Sequence, residues 1–183
     1  MNKKIFSVIV GLSCCFSACS DWVDVKTKGS LVPEETENYR YLMNNTENFR
    51  WTLSYHDVAS DDIDISDPAQ QEAIYETNKF IPVYTWADEI YSQSENDTEM
   101  NKVYQVIYNC NVVIDEVMDS KNGTNEEKLE IRAEALVHRA EAYLTLVNVY
   151  GVPYNAATAS TDQGVPLLTT PRVEGALPRA SVE

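Results

Sequence analysis

The chain has 183 residues, 44% of them hydrophobic and 23% charged, which places it among ordinary globular proteins and outside the disordered class. Its formal net charge of −15 excludes a nucleic-acid backbone as partner, because neutralising phosphates takes a surplus of Lys and Arg. An uncharged ligand, a cation or another protein suits that balance.

At the N-terminus Lys3 and Lys4 precede an apolar run from Ile5 to Leu12, and Ser17 and Ala18 stand directly before Cys19. The order is that of a secretory leader, and the run is shorter than the roughly 20 apolar residues of a permanent span. Phe16-Ser17-Ala18-Cys19 resembles a bacterial lipobox, which implies cleavage before Cys19 and acylation of its thiol; the alternative is a plain leader with incidental cysteines. Residues 1–18 are then a lipoprotein signal peptide and residues 19–32 a lipid-anchored tether. Each buried methylene contributes about 0.8 kcal/mol, so two or more chains anchor stably. Cys14 and Cys15 leave with the leader, so Cys110 is the one thiol remaining and no internal disulfide forms. Asp21 and Asp24 resemble the acidic export signals that follow such cysteines and send lipoproteins to the cell surface.

From Pro33, with Glu34, Glu35 and Glu37 at the positive end of a helix dipole, a first helix is predicted to run to Asn48 or Phe49, burying Tyr39, Leu42, Met43 and Phe49. Residues 50–98 read as aromatic, acidic loops around a short helix from Pro68 to about Tyr75, with Asp67 as its N-cap. From about Thr98 to Met118 the apolar residues Val103, Ile107, Cys110, Ile114 and Val117 recur at helical spacing. Gly123 stops that helix, and Thr124 or Asn125 caps the next, from Glu126 to about Tyr150. Its predicted core stripe is Leu129, Ala133, Leu136, Val137, Ala140, Tyr143, Leu144 and Val147. A short turn between two long helices makes them antiparallel, and the alanines allow close approach.

The segments "CSDWVDVKTKG", "MNKVYQVIYNCNVVIDEV" and "IRAEALVHRAEAYLTLVNVYGVPY" resemble the N-terminal part of the SusD/RagB family of outer-membrane nutrient-binding lipoproteins. The family pattern W-x3-Y-x2-I-x3-N is met by Tyr104, Ile107 and Asn111, with Met100 replacing the Trp. E-A-x3-R-A-x2-Y-x2-L-x3-Y-G is met by Glu134, Ala135, Arg139, Ala140, Tyr143, Leu146, Tyr150 and Gly151. The resemblance implies a mainly all-α fold, a tetratricopeptide-like helical hairpin scaffold with long irregular loops, over residues 33–183. It also implies a longer protein, in which "LPRASVE" leads into a further helix capped by Ser181 and α-hairpins stack on one another.

What the resemblance implies for function is a surface lipoprotein of the outer membrane that binds an oligosaccharide or similar nutrient and delivers it to a SusC-like TonB-dependent transporter. The alternative is a structural adaptor that docks the transporter without holding ligand. No catalytic constellation and no cofactor are expected. Sugars present flat apolar faces ringed by hydroxyls, so an aromatic platform with amide partners suits them. "VYTWADEIYSQSEND" supplies such residues, and Trp86, Tyr84 and Asn96 are the candidate ligand contacts. Trp51 and Trp22 are assigned to the core and to tether docking.

Three other clusters read as structural. "DIDISDP" begins like a calcium loop, but Asp67 stands where a glycine is needed and Ala73 where a bidentate Glu is needed. Glu134, His138 and Glu141 share a helical face with one His alone, short of a metal motif. Cys110 lies on an apolar stripe and is expected to be buried and inert.

Overall fold

The computed structural model describes residues 33–183, apart from 52, 78–79 and 173–174. The leader, Cys19, Trp22 and the tether with Asp21 and Asp24 lie outside the described residues. The elements are α1 (Thr36–Asn44), α2 (Thr46–Phe49), α3 (Tyr55–Val58), α4 (Pro68–Thr77), α5 (Ile81–Tyr84), α6 (Thr98–Glu116), a 3-10 turn (Val117–Asp119), α7 (Asn125–Tyr150), β1 (Gln163–Pro166) and β2 (Arg179–Ser181). Seven helices and two short strands among the described residues make the fold mainly α, as the sequence predicts.

Side-chain caps fix the long helices. Asp97 accepts the Met100 N–H at 2.8 Å and starts α6. Thr124 and Glu127 exchange bonds, the Thr124 hydroxyl accepting the Glu127 N–H and the Glu127 carboxylate accepting the Thr124 N–H, which is a complete capping box for α7. Between them Asn122 and Gly123 take left-handed φ of 60° and 67° and reverse the chain. Contacts between Lys128 and Met118, Arg139 and Asn111, and Tyr150 and Asp97 then run in opposite sequence directions, so α6 and α7 are antiparallel.

The core sits where α6 meets its neighbours. Val103, Val106, Ile107, Cys110, Val113 and Val117 have no exposure, and Ile114 is buried too. Each such side chain contributes roughly 1.5–3 kcal/mol by leaving water. From α1, Tyr39 and Met43 join this cluster, with Leu42, Phe49 and Trp51 half-buried against it.

The face of α7 that enters the core differs from the predicted stripe. Buried residues are Ile131, Ala135, Ala142 and Leu146, whereas Leu129, Leu136, Val137 and Leu144 are 40–66% exposed. The helix carries two apolar stripes, and periodicity alone does not say which one meets α6. The stripe that docks sets Ile131 and Leu146, with Ala135 and Ala142 between them, into the cluster around α6.

Both ends of α1 also shift from expectation. Pro33 and Glu34 stay outside the helix, and Asn38 Oδ1 accepts the N–H groups of Glu34 and Glu35 at 3.2 and 3.1 Å. Asn45 breaks the run before Phe49, because its side chain accepts the Glu47 N–H and restarts the chain as α2. The short helix α4 forms as predicted, Asp67 Oδ1 accepting the Ala69 N–H at 2.8 Å.

The segment "LPRASVE" contributes a strand that the sequence does not signal. Arg179–Ser181 is a strand, β2, paired antiparallel with β1, and the N–H groups of Val182 and Glu183 bond to the carbonyls of Asp162 and Ala159. An N-cap residue has extended backbone, so the strand position of Ser181 is compatible with the cap expected of it. The connection leading from β1 lies along the hairpin, where Tyr104 donates to Pro166 O, Asn111 donates to Leu168 O and Thr170 O, and Tyr143 donates to Leu168 O.

Candidate functional site

The turn after α5 puts Trp86 in an unusual place. The Trp86 N–H bonds to Val83 O at 3.2 Å and the Ala87 N–H to Pro82 O at 2.8 Å, the double closure of a Schellman motif. Trp86 occupies the position just past the C-cap Thr85, with φ 54°, where glycine is the physical default. A bulky side chain there costs about 1–2 kcal/mol. That cost brings no burial in return, since Trp86 is 77% exposed.

The indole forms one wall of a groove of about 320 Å³. Pro82 and Ile90 line it beside the indole, Val149 comes from the last turn of α7, and His56 and Asn148 supply polar groups. Its size is at the lower end of ligand sites, and its mix of an aromatic wall, aliphatic floor and a few polar groups is theirs. His56 has Asp57 as its neighbour, Nε2 to Oδ1 at 3.4 Å.

A second hollow of about 220 Å³ adjoins the first across Tyr55 and Ile90, which line both. Phe80, Tyr91, Glu95 and Asn96 complete it. Tyr55 is held from below: its hydroxyl donates to Asp97 Oδ1 at 3.1 Å and meets the Tyr91 hydroxyl, while Tyr150 donates to Asp97 Oδ2 at 2.6 Å. Burial first, and then these bonds to Asp97 and between the phenols, push the phenols of Tyr55 and Tyr150 up from the ordinary value. Asp97 thus both caps α6 and pins the aromatic wall to the hairpin.

The three candidate contacts separate. Trp86 stands in the first groove and Asn96 in the second, but Tyr84 lines neither: it is half-buried and its hydroxyl accepts the Ile65 N–H at 3.2 Å. Sequence reasoning missed Tyr55, His56 and Asn148. The neighbours of Asn148 in sequence are scaffold, and only the approach of α3 and α5 to the end of α7 makes it part of a site. The loop aromatics do pack, Tyr55 against Phe80, Tyr91 and Tyr150 at ring separations of 5.9 to 6.3 Å.

A larger hollow, about 580 Å³, lies between α1 and the start of α7, lined by Glu35, Glu37, Arg40, Glu127 and Glu130. It has no aromatic wall among its described lining residues. Elsewhere Glu134 pairs with Arg40, and His138 stacks on Phe49 with ring centres 4.6 Å apart. Among the described residues no group of His, Cys, Asp and Glu is arranged to hold a metal ion. Cys110 is fully buried, and burial pushes its thiol up to about 12.

The described residues form a mainly α scaffold with an aromatic-walled groove at the open end of its hairpin. The family model for SusD-like proteins, described as starch-binding associating with outer membrane, matches residues 21–183, and the chain belongs to that family. It is a family of outer-membrane-associated binding proteins rather than enzymes. No curated protein matches the chain. Among the described residues no helix is long and apolar enough to cross a membrane.

Proposed function

We propose that the protein captures a glycan in the Trp86 groove and passes it to a TonB-dependent outer-membrane transporter. The observation that carries the reading is Trp86 itself, an exposed indole kept at a left-handed position beside an apolar groove. Strain without burial is retained where a side chain serves a ligand. A pyranose ring stacks its apolar face on the indole, and the amide of Asn148 and the imidazole of His56 exchange hydrogen bonds with its hydroxyls. Asn96 serves a neighbouring sugar residue, and Tyr84 braces the loop from behind.

In this reading the chain works at the surface, tethered through lipid on Cys19. The lipobox-like sequence before Cys19 supports that anchor. Binding is reversible and no covalent chemistry is involved. The experiment is titration of the full chain with a panel of neutral oligosaccharides, followed by tryptophan fluorescence. Saturable binding that Trp86→Ala abolishes supports the reading. Silence of the intact chain across the panel overturns ligand capture and leaves the adaptor role. A Cys19→Ala variant that still partitions with membranes overturns the anchor.

A further inference from the structure

We propose that the hollow beside Tyr55 is a subsite for the positively charged amine of an amino sugar, so that the captured glycan contains such residues. The inference rests on the glycan reading of the Trp86 groove and names the chemistry of the residue bound next to it.

Three aromatic side chains, Tyr55, Phe80 and Tyr91, line the hollow. Tyr55 packs edge-to-face against Phe80 and Tyr91, at interplanar angles of 62° and 72°. A small space lined by aromatic rings attracts an ammonium group placed over a ring face, through the ring quadrupole. At about 220 Å³ the hollow is smaller than the roughly 300–1,000 Å³ of drug-sized sites, so it takes one unit of a longer ligand.

Charge at the rim points the same way. Glu95 lines the hollow, and its carboxylate accepts the Ser92 N–H at 2.8 Å. That bond lowers its pKa and keeps it ionised. Asp97 lies just behind, bonded to the Tyr55 hydroxyl; burial first, and then Asp97 and Glu99, push the Tyr91 phenol up. Among the described residues lining the hollow, none is Lys or Arg. An anionic sugar would meet carboxylates without a counter-charge, and a neutral one would leave Glu95 without a partner from the ligand. A protonated amine meets both the rings and the acid.

The test uses the full chain, three oligosaccharides of equal length and tryptophan fluorescence at mildly acidic pH. The three are a glucosamine oligomer, its N-acetylated counterpart and a neutral glucose oligomer. The expected result is about tenfold tighter binding of the amine form, a preference that shrinks with salt. Glu95→Gln should erase the preference for the amine form. Tyr91→Leu should weaken the amine form selectively, with Tyr91→Phe restoring it. Equal affinity for all three, or a preference that survives Glu95→Gln, overturns the subsite while leaving the Trp86 groove standing. Ethanolamine binding as tightly as the oligomer overturns it too, because a site for free amines would owe nothing to the sugar. Failure of every oligomer to bind removes both readings.

Discussion

Arg139 Nη1 donates to Asn111 Oδ1 across the hairpin at 2.7 Å, and the Asn111 amide nitrogen in turn donates to Leu168 O at 3.0 Å and Thr170 O at 3.2 Å. Both residues belong to the patterns by which the sequence resembles its family, as do Tyr104 and Tyr143, which bond to Pro166 and Leu168. The recognisable residues therefore clamp a strand-linked segment onto α6 and α7. They define the scaffold, and the residues lining the Trp86 groove lie outside those patterns.

Asn111 is buried with all of these partners satisfied. Asn111→Leu should remove the clamp and leave the carbonyls of Leu168 and Thr170 and the Arg139 guanidinium short of partners. The expected loss is about 3 kcal/mol, read from the urea midpoint. An unchanged midpoint would mean that the clamp contributes nothing.

Trp86 allows stability and binding to be separated. Trp86→Gly places at the position past the α5 C-cap the residue that adopts φ 54° without strain. Stability should rise by about 1 kcal/mol while glycan binding is lost. Trp86→Ala should lose binding without that gain. Equal stability in the Gly and Ala variants would show that the left-handed geometry carries no cost.

How much of this was legible in the sequence depends on whether the signal is local. The α6 stripe, the Thr124 cap, the Gly123 turn and the Asp67 cap each depend on residues a few positions apart, and each forms as read. The face of α7 and the fate of Arg179–Ser181 depend on partners far along the chain. Leu129, Leu136, Val137 and Leu144 make as good a stripe by spacing as Ile131, Ala135, Ala142 and Leu146, and only docking to α6 decides between them. The same holds for the site: Trp86 stood out as a loop aromatic, whereas Asn148 reaches the groove only because α3, α5 and α7 converge.

The α7 faces predict opposite outcomes for two neighbouring substitutions. Ala142→Leu forces a larger side chain into the contact with α6 and should cost about 1–3 kcal/mol. Leu144→Gln, on a residue that is 62% exposed, should stay within about 0.5 kcal/mol. Reversal of that order in urea unfolding would return the core to the stripe predicted from spacing.

Alkali should destabilise the fold before it ionises the buried groups. Burial holds the Cys110 thiol up at about 12 from its ordinary 9.0, and raises the phenols of Tyr104, Tyr143 and Tyr150 above their ordinary 10.0. In the unfolded chain these groups release protons at their ordinary values, while the folded chain keeps them. Stability is thus fully present below about pH 8, where even the unfolded thiol keeps its proton, and falls as pH rises toward the folded values. The urea midpoint should drop between about pH 8 and pH 11, and a thiol reagent should label Cys110 at about pH 8 only with denaturant present. Rapid labelling of the native protein would place the thiol outside the core.

Two glycines with positive φ separate backbone strain from crowding. Gly175 has φ 103° and nothing within 4 Å of where a Cβ would stand, so Gly175→Ala carries conformational strain alone, about 1–2 kcal/mol. Gly123 has φ 67°, and its added Cβ would come within 2.6 to 2.8 Å of the Thr36 side chain. Thr36 has little room to yield, since its hydroxyl bonds to Asn122 O at 2.8 Å and meets the Ser120 hydroxyl at 2.7 Å, and its N–H bonds to Lys121 O. Gly123→Ala should therefore cost more than Gly175→Ala by about 1–3 kcal/mol, the size of an overpacking penalty. Matched urea curves for the two variants measure that difference directly, and equal losses would show that α1 moves away from the hairpin turn without cost.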